Sequence, residues 1–157
     1  MGKEQKEVFK VNLIVDANIV FSGILNSKGK IGDLLINSGN KFNFIAPNFL
    51  RTEIYKYHHK LSKISGMNVE QVREAEFQIC KDINFISEEQ IKPTAWLFAE
   101  KLVADIDPKD APYIALSKHF TCKIWSGDKM LIKGLAKKGF VAFVSTDELY
   151  KLQSEKF

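Results

Sequence analysis

Val11-Asn12-Leu13-Ile14-Val15-Asp16-Ala17-Asn18-Ile19-Val20 is the stretch on which the reading of this chain turns. Its first half is a short, mainly apolar and β-branched run, as expected of a strand buried on both faces, and it stops at an acid. Four more runs of similar character follow at residues 42–46, 83–86, 123–126 and 141–144, each separated from the next by sequence with helical periodicity. Parallel neighbours need a right-handed crossover, and each crossover helix must bury an apolar stripe. The pattern therefore predicts an α/β fold: a three-layer α/β/α sandwich around a central, mostly parallel five-stranded sheet.

Between these runs, Leu50, Ile54, Tyr57, Leu61 and Ile64 repeat with helical spacing, opening after Pro47-Asn48 and stopping at Gly66, which predicts one long amphipathic helix. Asn68 with Gln71, and Ser87 with Gln90, have the spacing of capping boxes and predict two further helix starts, with Pro93 dividing the helical sequence after Ser87. A chain of 157 residues with 45% hydrophobic content suits one core. The division expected is a polar tail over residues 1–10 and one domain over 11–157.

The opening residues lack the apolar run of a secretory signal, and no stretch is apolar for long enough to span a membrane. Cys80 and Cys122 stand far apart with no C-x-x-C pair, which argues against a disulfide framework or a zinc site. A reduced, cytoplasmic protein with no membrane partner is expected. The net charge of +4 favours contact with phosphate polyanions, a property shared with many proteins that bind none.

Asp16 directly follows the first strand and Asp128 follows the fourth, where a parallel sheet presents its ligand-binding edge. Glu53 lies in the first turns of the long helix, and Asp110 opens the helix that leads into the fourth strand. Each has an ordinary structural explanation: Asp16 as a helix cap, Asp107-Pro108-Lys109-Asp110 as helix-start chemistry, Glu53 as a solvated helix residue, and Gly127-Asp128 as a turn. Convergence is what would make them a site. Four gathered carboxylates repel unless a cation neutralises them, and oxygen-only ligands select Mg²⁺ or Mn²⁺, ions suited to phosphodiester hydrolysis.

Four segments, Val15-Asp16-Ala17-Asn18-Ile19-Val20, Pro47-Asn48-Phe49-Leu50-Arg51-Thr52-Glu53-Ile54, Asp107-Pro108-Lys109-Asp110-Ala111-Pro112-Tyr113-Ile114-Ala115-Leu116 and Trp125-Ser126-Gly127-Asp128-Lys129-Met130-Leu131, resemble the acidic motifs of the PIN-domain family in order. The resemblance spans most of the chain and implies an Mg²⁺- or Mn²⁺-dependent ribonuclease acting on RNA. It puts Asp16, Glu53, Asp110 and Asp128 in the catalytic and metal-binding positions. Asn18, Asp107 and Ser126 stand in second rank, together with Asp105. The family includes VapC-type toxins, so an antitoxin protein and a homodimer are both open as partners. Ser126 and Gly127 depart from the Thr and Asn often found there, and Gly127 brings no side chain.

Lys129, Lys133 and Lys137 repeat every four residues after Asp128, which would put three ammonium groups on one helix face as a guide for an RNA backbone or simply as a solvated face. His58 and His59 are adjacent and cannot form an i, i+4 metal pair, and Trp96 and Trp125 read as core. Two other functions fit parts of the pattern. Asp16 and Gly127-Asp128 also resemble the haloacid-dehalogenase phosphomonoesterases, although Asn18 stands where that chemistry wants a second Asp as general acid. The other is a catalytically inactive PIN-like domain that binds RNA or protein.

Overall fold

The computed structural model describes residues 9–154, so most of the tail expected over residues 1–10 lies outside the described residues. Strand β1 (Val11–Val15) lies at the centre of the sheet, with β2 (Phe42–Pro47) and then β3 (Ile83–Ile86) on one side and β4 (Lys123–Trp125) and then β5 (Phe143–Val144) on the other. All four pairings are parallel. Val15, paired with Trp125, and Leu13, paired with Phe44, point to one face, where the Phe44 and Trp125 rings pack with centroids 5.9 Å apart. Ile45, Ile14 and Ile124 form a row on the other face. The buried hydrophobic residues, including Ile14, Phe44 and Trp125, join in one cluster.

The helices cover both faces. In chain order they are α1 (Ala17–Leu25), α2 (Lys30–Asn37), α3 (Phe49–Lys56), α4 (His58–Ser65), α5 (Val69–Cys80), α6 (Pro93–Val103), α7 (Ala111–Phe120), α8 (Lys129–Ala136) and α9 (Thr146–Ser154). Helix α7 packs against β1, β2 and β4 and carries α6, while α1, α2 and α5 pack on one another, with α9 against α2. The Trp125 indole N–H donates to Thr146 Oγ1 at 3.0 Å, which ties the aromatic face of the sheet to the start of α9. This is the expected three-layer arrangement with a fully parallel sheet.

Several local expectations need correction. The helix read as continuous from Leu50 to Gly66 is two, α3 and α4, meeting at Tyr57 (φ −99°, ψ 7°). There the Tyr57 N–H is shared between the carbonyls of Glu53 and Ile54, a tightened turn, with Leu50, Ile54 and Leu61 of the expected stripe buried and Tyr57 and Ile64 exposed. The Asn68–Gln71 capping box is present in both directions. Ser87 makes no capping bond and opens only a 3-10 turn (Glu88–Gln90), because Pro93 cannot continue it and instead starts α6 at its first position. The last strand is Phe143–Val144 alone: Val141 is exposed, and its carbonyl accepts from the Phe143 N–H in a tight turn at the sheet edge. Ser126 likewise falls just beyond β4.

Candidate active site

Because the chain runs outward from β1 through β2 to β3 and then returns to the opposite side of β1 as β4, the β1/β4 boundary is the switch point of the sheet, where a crevice opens at the carboxyl ends of the strands. Asp16 follows β1 and Asp128 closely follows β4, so both stand at this crevice for a purely topological reason. A cleft of about 370 Å³ lies there, and its walls include Asp16, Glu53, Asp107, Asp110 and Asp128. All four first-rank acids are thus brought together, with Asp107 from the second rank. Asn18 also lines the cleft. Asp105 does not; it is exposed and ion-paired with Lys138.

The helix termini explain where the acids sit. Asp16 is at the N-cap position of α1 and Asp110 at that of α7, while Asp128 caps α8 by accepting the Leu131 N–H at 3.1 Å. Asp107 caps the 3-10 turn Pro108–Asp110 by accepting the Lys109 N–H at 3.0 Å. The positive ends of these helices ease the crowding of negative charge. The helix-start reading of Asp107 therefore holds and coexists with the cleft, while Asp128, expected in a turn, is instead the cap of α8. Asp16 sits at the N-cap position without a well-formed side-chain capping bond, although the backbone N–H groups of Ala17 and Asn18 still act to lower its carboxyl.

Two hydroxyls hold carboxylates in place. Ser126, buried to 2% exposure, donates to Asp16 Oδ2 at 2.7 Å and accepts the Asp128 N–H at 3.1 Å, so one small side chain sets the spacing of the acids that follow β1 and β4. The Tyr113 hydroxyl donates to Glu53 Oε1 at 2.6 Å. Ser126→Ala is expected to leave Asp16 with an unpaired buried oxygen, costing about 1–3 kcal/mol of folding stability. It should also reduce any cleft-dependent activity by roughly 10- to 100-fold, as loss of a ligand-orienting group does. Thermal melts and turnover of the variant check both; an unchanged rate would remove Ser126 from the site.

The electrostatics record the crowding. Burial raises the carboxyls of Asp16 and Glu53 above their ordinary range; Asp128 adds to the rise at Asp16 and Asp16 to that at Glu53, against the opposing hydroxyl bonds. Asp110 is pushed up to about 7, first by burial and then by Asp16, Asp107, Asp128 and Glu53. Burial and the bond to Glu53 raise the Tyr113 phenol as well, so it stays a donor. The donor set is all oxygen and carries excess negative charge, which suits a hard divalent cation in chemistry. Among the described residues, however, no three acidic, histidine or cysteine side chains are gathered tightly enough to hold an ion as they stand.

Several residues of the cleft escaped the sequence reading. Lys60 and Lys109 supply its positive charge, and Phe21 and Tyr57, packed edge to face at 5.4 Å, supply an aromatic side. Tyr113 and Lys60 carried a signal in their spacing, since Tyr113 lies three residues after Asp110, close to one helix turn, and Lys60 seven after Glu53, close to two. Lys129, Lys133 and Lys137 are exposed and absent from the cleft walls, and Lys137 lies past the end of α8. His58 is buried against Glu76 at 2.7 Å, away from the acids. Cys80 and Cys122 are free thiols. Among the described residues, no helix is long and apolar enough to cross a membrane.

Fold and cleft together define a class: three-layer α/β/α proteins with an acid-lined crevice at the switch point of a parallel sheet. The PIN-domain family model matches residues 14–152, and the chain belongs to that family, whose members are generally nucleases that use divalent metals. Among solved structures, a PilT N-terminus domain protein from the hyperthermophilic archaeon Sulfolobus solfataricus is similar at 11% identity with a TM-score of 0.50. The match covers 94% of this chain and 97% of that one, a likeness of fold. No curated protein matches the sequence.

Proposed function

We propose that this protein is a metal-dependent endoribonuclease that hydrolyses RNA phosphodiesters at the acid cleft. The observation that carries the reading is the convergence of Asp16, Glu53, Asp107, Asp110 and Asp128 from four separate segments of the chain onto one crevice, at a cost in mutual repulsion that a merely structural role would not require. Asp16, Glu53, Asp110 and Asp128 would hold Mg²⁺ or Mn²⁺, which when bound supplies charge neutralisation at the phosphate and an activated water.

The chain's own residues do the rest. Ser126 holds one oxygen of the Asp16 carboxylate and Tyr113 one oxygen of Glu53, which restricts how these two cleft-lining groups can turn. Lys60 and Lys109 on the cleft walls offset the negative field that would otherwise repel a polyanion. Asn18, which also lines the cleft, can donate its amide to a phosphate oxygen.

The test is incubation of the purified full chain with end-labelled single-stranded and hairpin RNAs and Mn²⁺ or Mg²⁺. Internal cleavage is expected, arrested by EDTA and restored by added metal. Intact RNA under every condition, or cleavage that persists in EDTA, would overturn the proposal.

A further inference from the structure

Helices α3 and α4 form a wall with two sides. Glu53, Tyr57 and Lys60 line the acid cleft, whereas Arg51, Tyr55 and His58 line a second cleft of about 620 Å³ closed by α5 and Lys81. Arg51 and Tyr55 are one helical turn apart on α3, and Arg73, Glu76 and Phe77 share one face of α5. The second cleft thus gathers three cations, Arg51, Arg73 and Lys81, and one acid, Glu76.

That acid is already engaged, since its carboxylate lies 2.7 Å from His58 Nε2. Among the described residues, none of the three cations makes an ion pair. The Arg51 guanidinium is stacked 3.8 Å over the Phe85 ring, which holds its position before any ligand arrives. Two large aromatic side chains at the cleft, Tyr55 and Phe77, are 71% and 66% exposed. An excess of cations, three against one acid, beside exposed aromatic rings is the combination that binds single-stranded nucleic acid, with the charges on the backbone and the rings under the bases. A helix is only about 10–12 Å across, so a short extended strand crosses from one cleft to the other.

We propose that this second cleft is a nucleic-acid subsite, holding the backbone phosphates of a single RNA strand that passes over the α3–α4 wall from the acid cleft, with Tyr55 and Phe77 stacking unpaired bases. The proposal rests on the ribonuclease reading of the acid cleft. It places the attraction for RNA outside the acid-rich crevice, where the cations of the second cleft act on parts of the strand remote from the bond to be cut.

The test is binding of a labelled single-stranded RNA oligonucleotide, long enough to span both clefts, to the full chain in an Asp16→Asn background, titrated across salt concentrations. Arg73→Gln with Lys81→Gln, both at exposed positions, is expected to weaken binding about tenfold at moderate salt and to flatten the log–log salt slope by about 0.7 for each phosphate no longer neutralised. Tyr55→Ala should weaken binding several-fold with the slope unchanged, as loss of stacking does. A control pair on other surfaces, Lys101→Gln with Lys151→Gln, should change neither quantity.

Affinity and slope that stay put in the Arg73/Lys81 variant would overturn the subsite while leaving the nuclease reading intact, because cleavage by the unsubstituted protein is measured separately. Absence of metal-dependent cleavage by the unsubstituted protein, with the salt-dependent binding retained, would sink the nuclease reading and not the cation-lined site. A change of oligomeric state in the variant, with RNA affinity unmoved, would assign the cleft to protein contact and overturn the proposal.

Discussion

Asp16→Asn is expected to lower metal-dependent RNA cleavage by at least about 10³-fold, beyond the 10- to 100-fold typical of residues that merely support a ligand. The same substitution should not destabilise the protein in the absence of metal, and at neutral pH should stabilise it. The opposite signs follow from one fact. Asp16 is 7% exposed and its carboxyl is raised by burial and by Asp128, so its ionised form is an electrostatic burden on the ion-free fold. Asparagine is nearly isosteric and keeps an oxygen to accept the Ser126 hydroxyl, but it brings no charge to an ion. Parallel melts and cleavage assays decide the matter: a variant that cleaves like the parent removes Asp16 from the chemistry, and one that fails to fold shows a structural role instead.

The second large effect concerns metal and pH together. Saturating Mn²⁺, at about 100 times its dissociation constant, should stabilise the fold by roughly 2.7 kcal/mol. For a chain of this size that raises the melting temperature by about 5–10 °C. Asp110→Asn should abolish most of the increase.

Without metal, the sign of the pH dependence is unusual for carboxylates. Asp110 titrates at about 7 in the folded state against an ordinary value of 3.8, and Asp16 and Glu53 are also raised. Between these values the folded protein holds more protons than the unfolded chain, so stability is greatest near the acid end and falls as pH rises toward 7. After allowance for solvent around the half-exposed Asp110, the loss is on the order of 1–2 kcal/mol. Metal binding should expel those protons and so tighten as pH rises through the same window. Urea melts from pH 5 to pH 8, with EDTA and with Mn²⁺, measure both trends; stability that rises with pH in EDTA would contradict the crowded-carboxylate account.

Much of this architecture was legible in local sequence because its causes are local. The β-branched run Val11–Val15 is a strand for reasons contained within five residues, and the reciprocal Asn68–Gln71 bonds need only one helical turn. Strands alternating with helices then restrict the topology to a parallel sheet, and from that the placement of Asp16 and Asp128 at one edge follows. The break at Tyr57 was not legible: the apolar repeat in the sequence runs through it, and periodicity reports which face is buried without reporting the backbone angles at one residue. Ser87 shows the converse error, a capping spacing realised only as a 3-10 turn because Pro93 starts the helix proper.

Local residue patterns are enough to set the alternation of strands and helices and to name the acids that this alternation carries to one end of the sheet. The surroundings of those acids emerge from chain packing alone: Ser126 bridging Asp16 and Asp128, Tyr113 on Glu53, Lys60 and Lys109 rather than Lys129, Lys133 and Lys137 on the cleft wall, and the cations of the second cleft. The reason is range. Backbone preferences and burial stripes act over a few residues and are written in them, whereas a hydrogen bond between Ser126 and Asp16 joins positions 110 residues apart and exists only once β1 and β4 lie side by side.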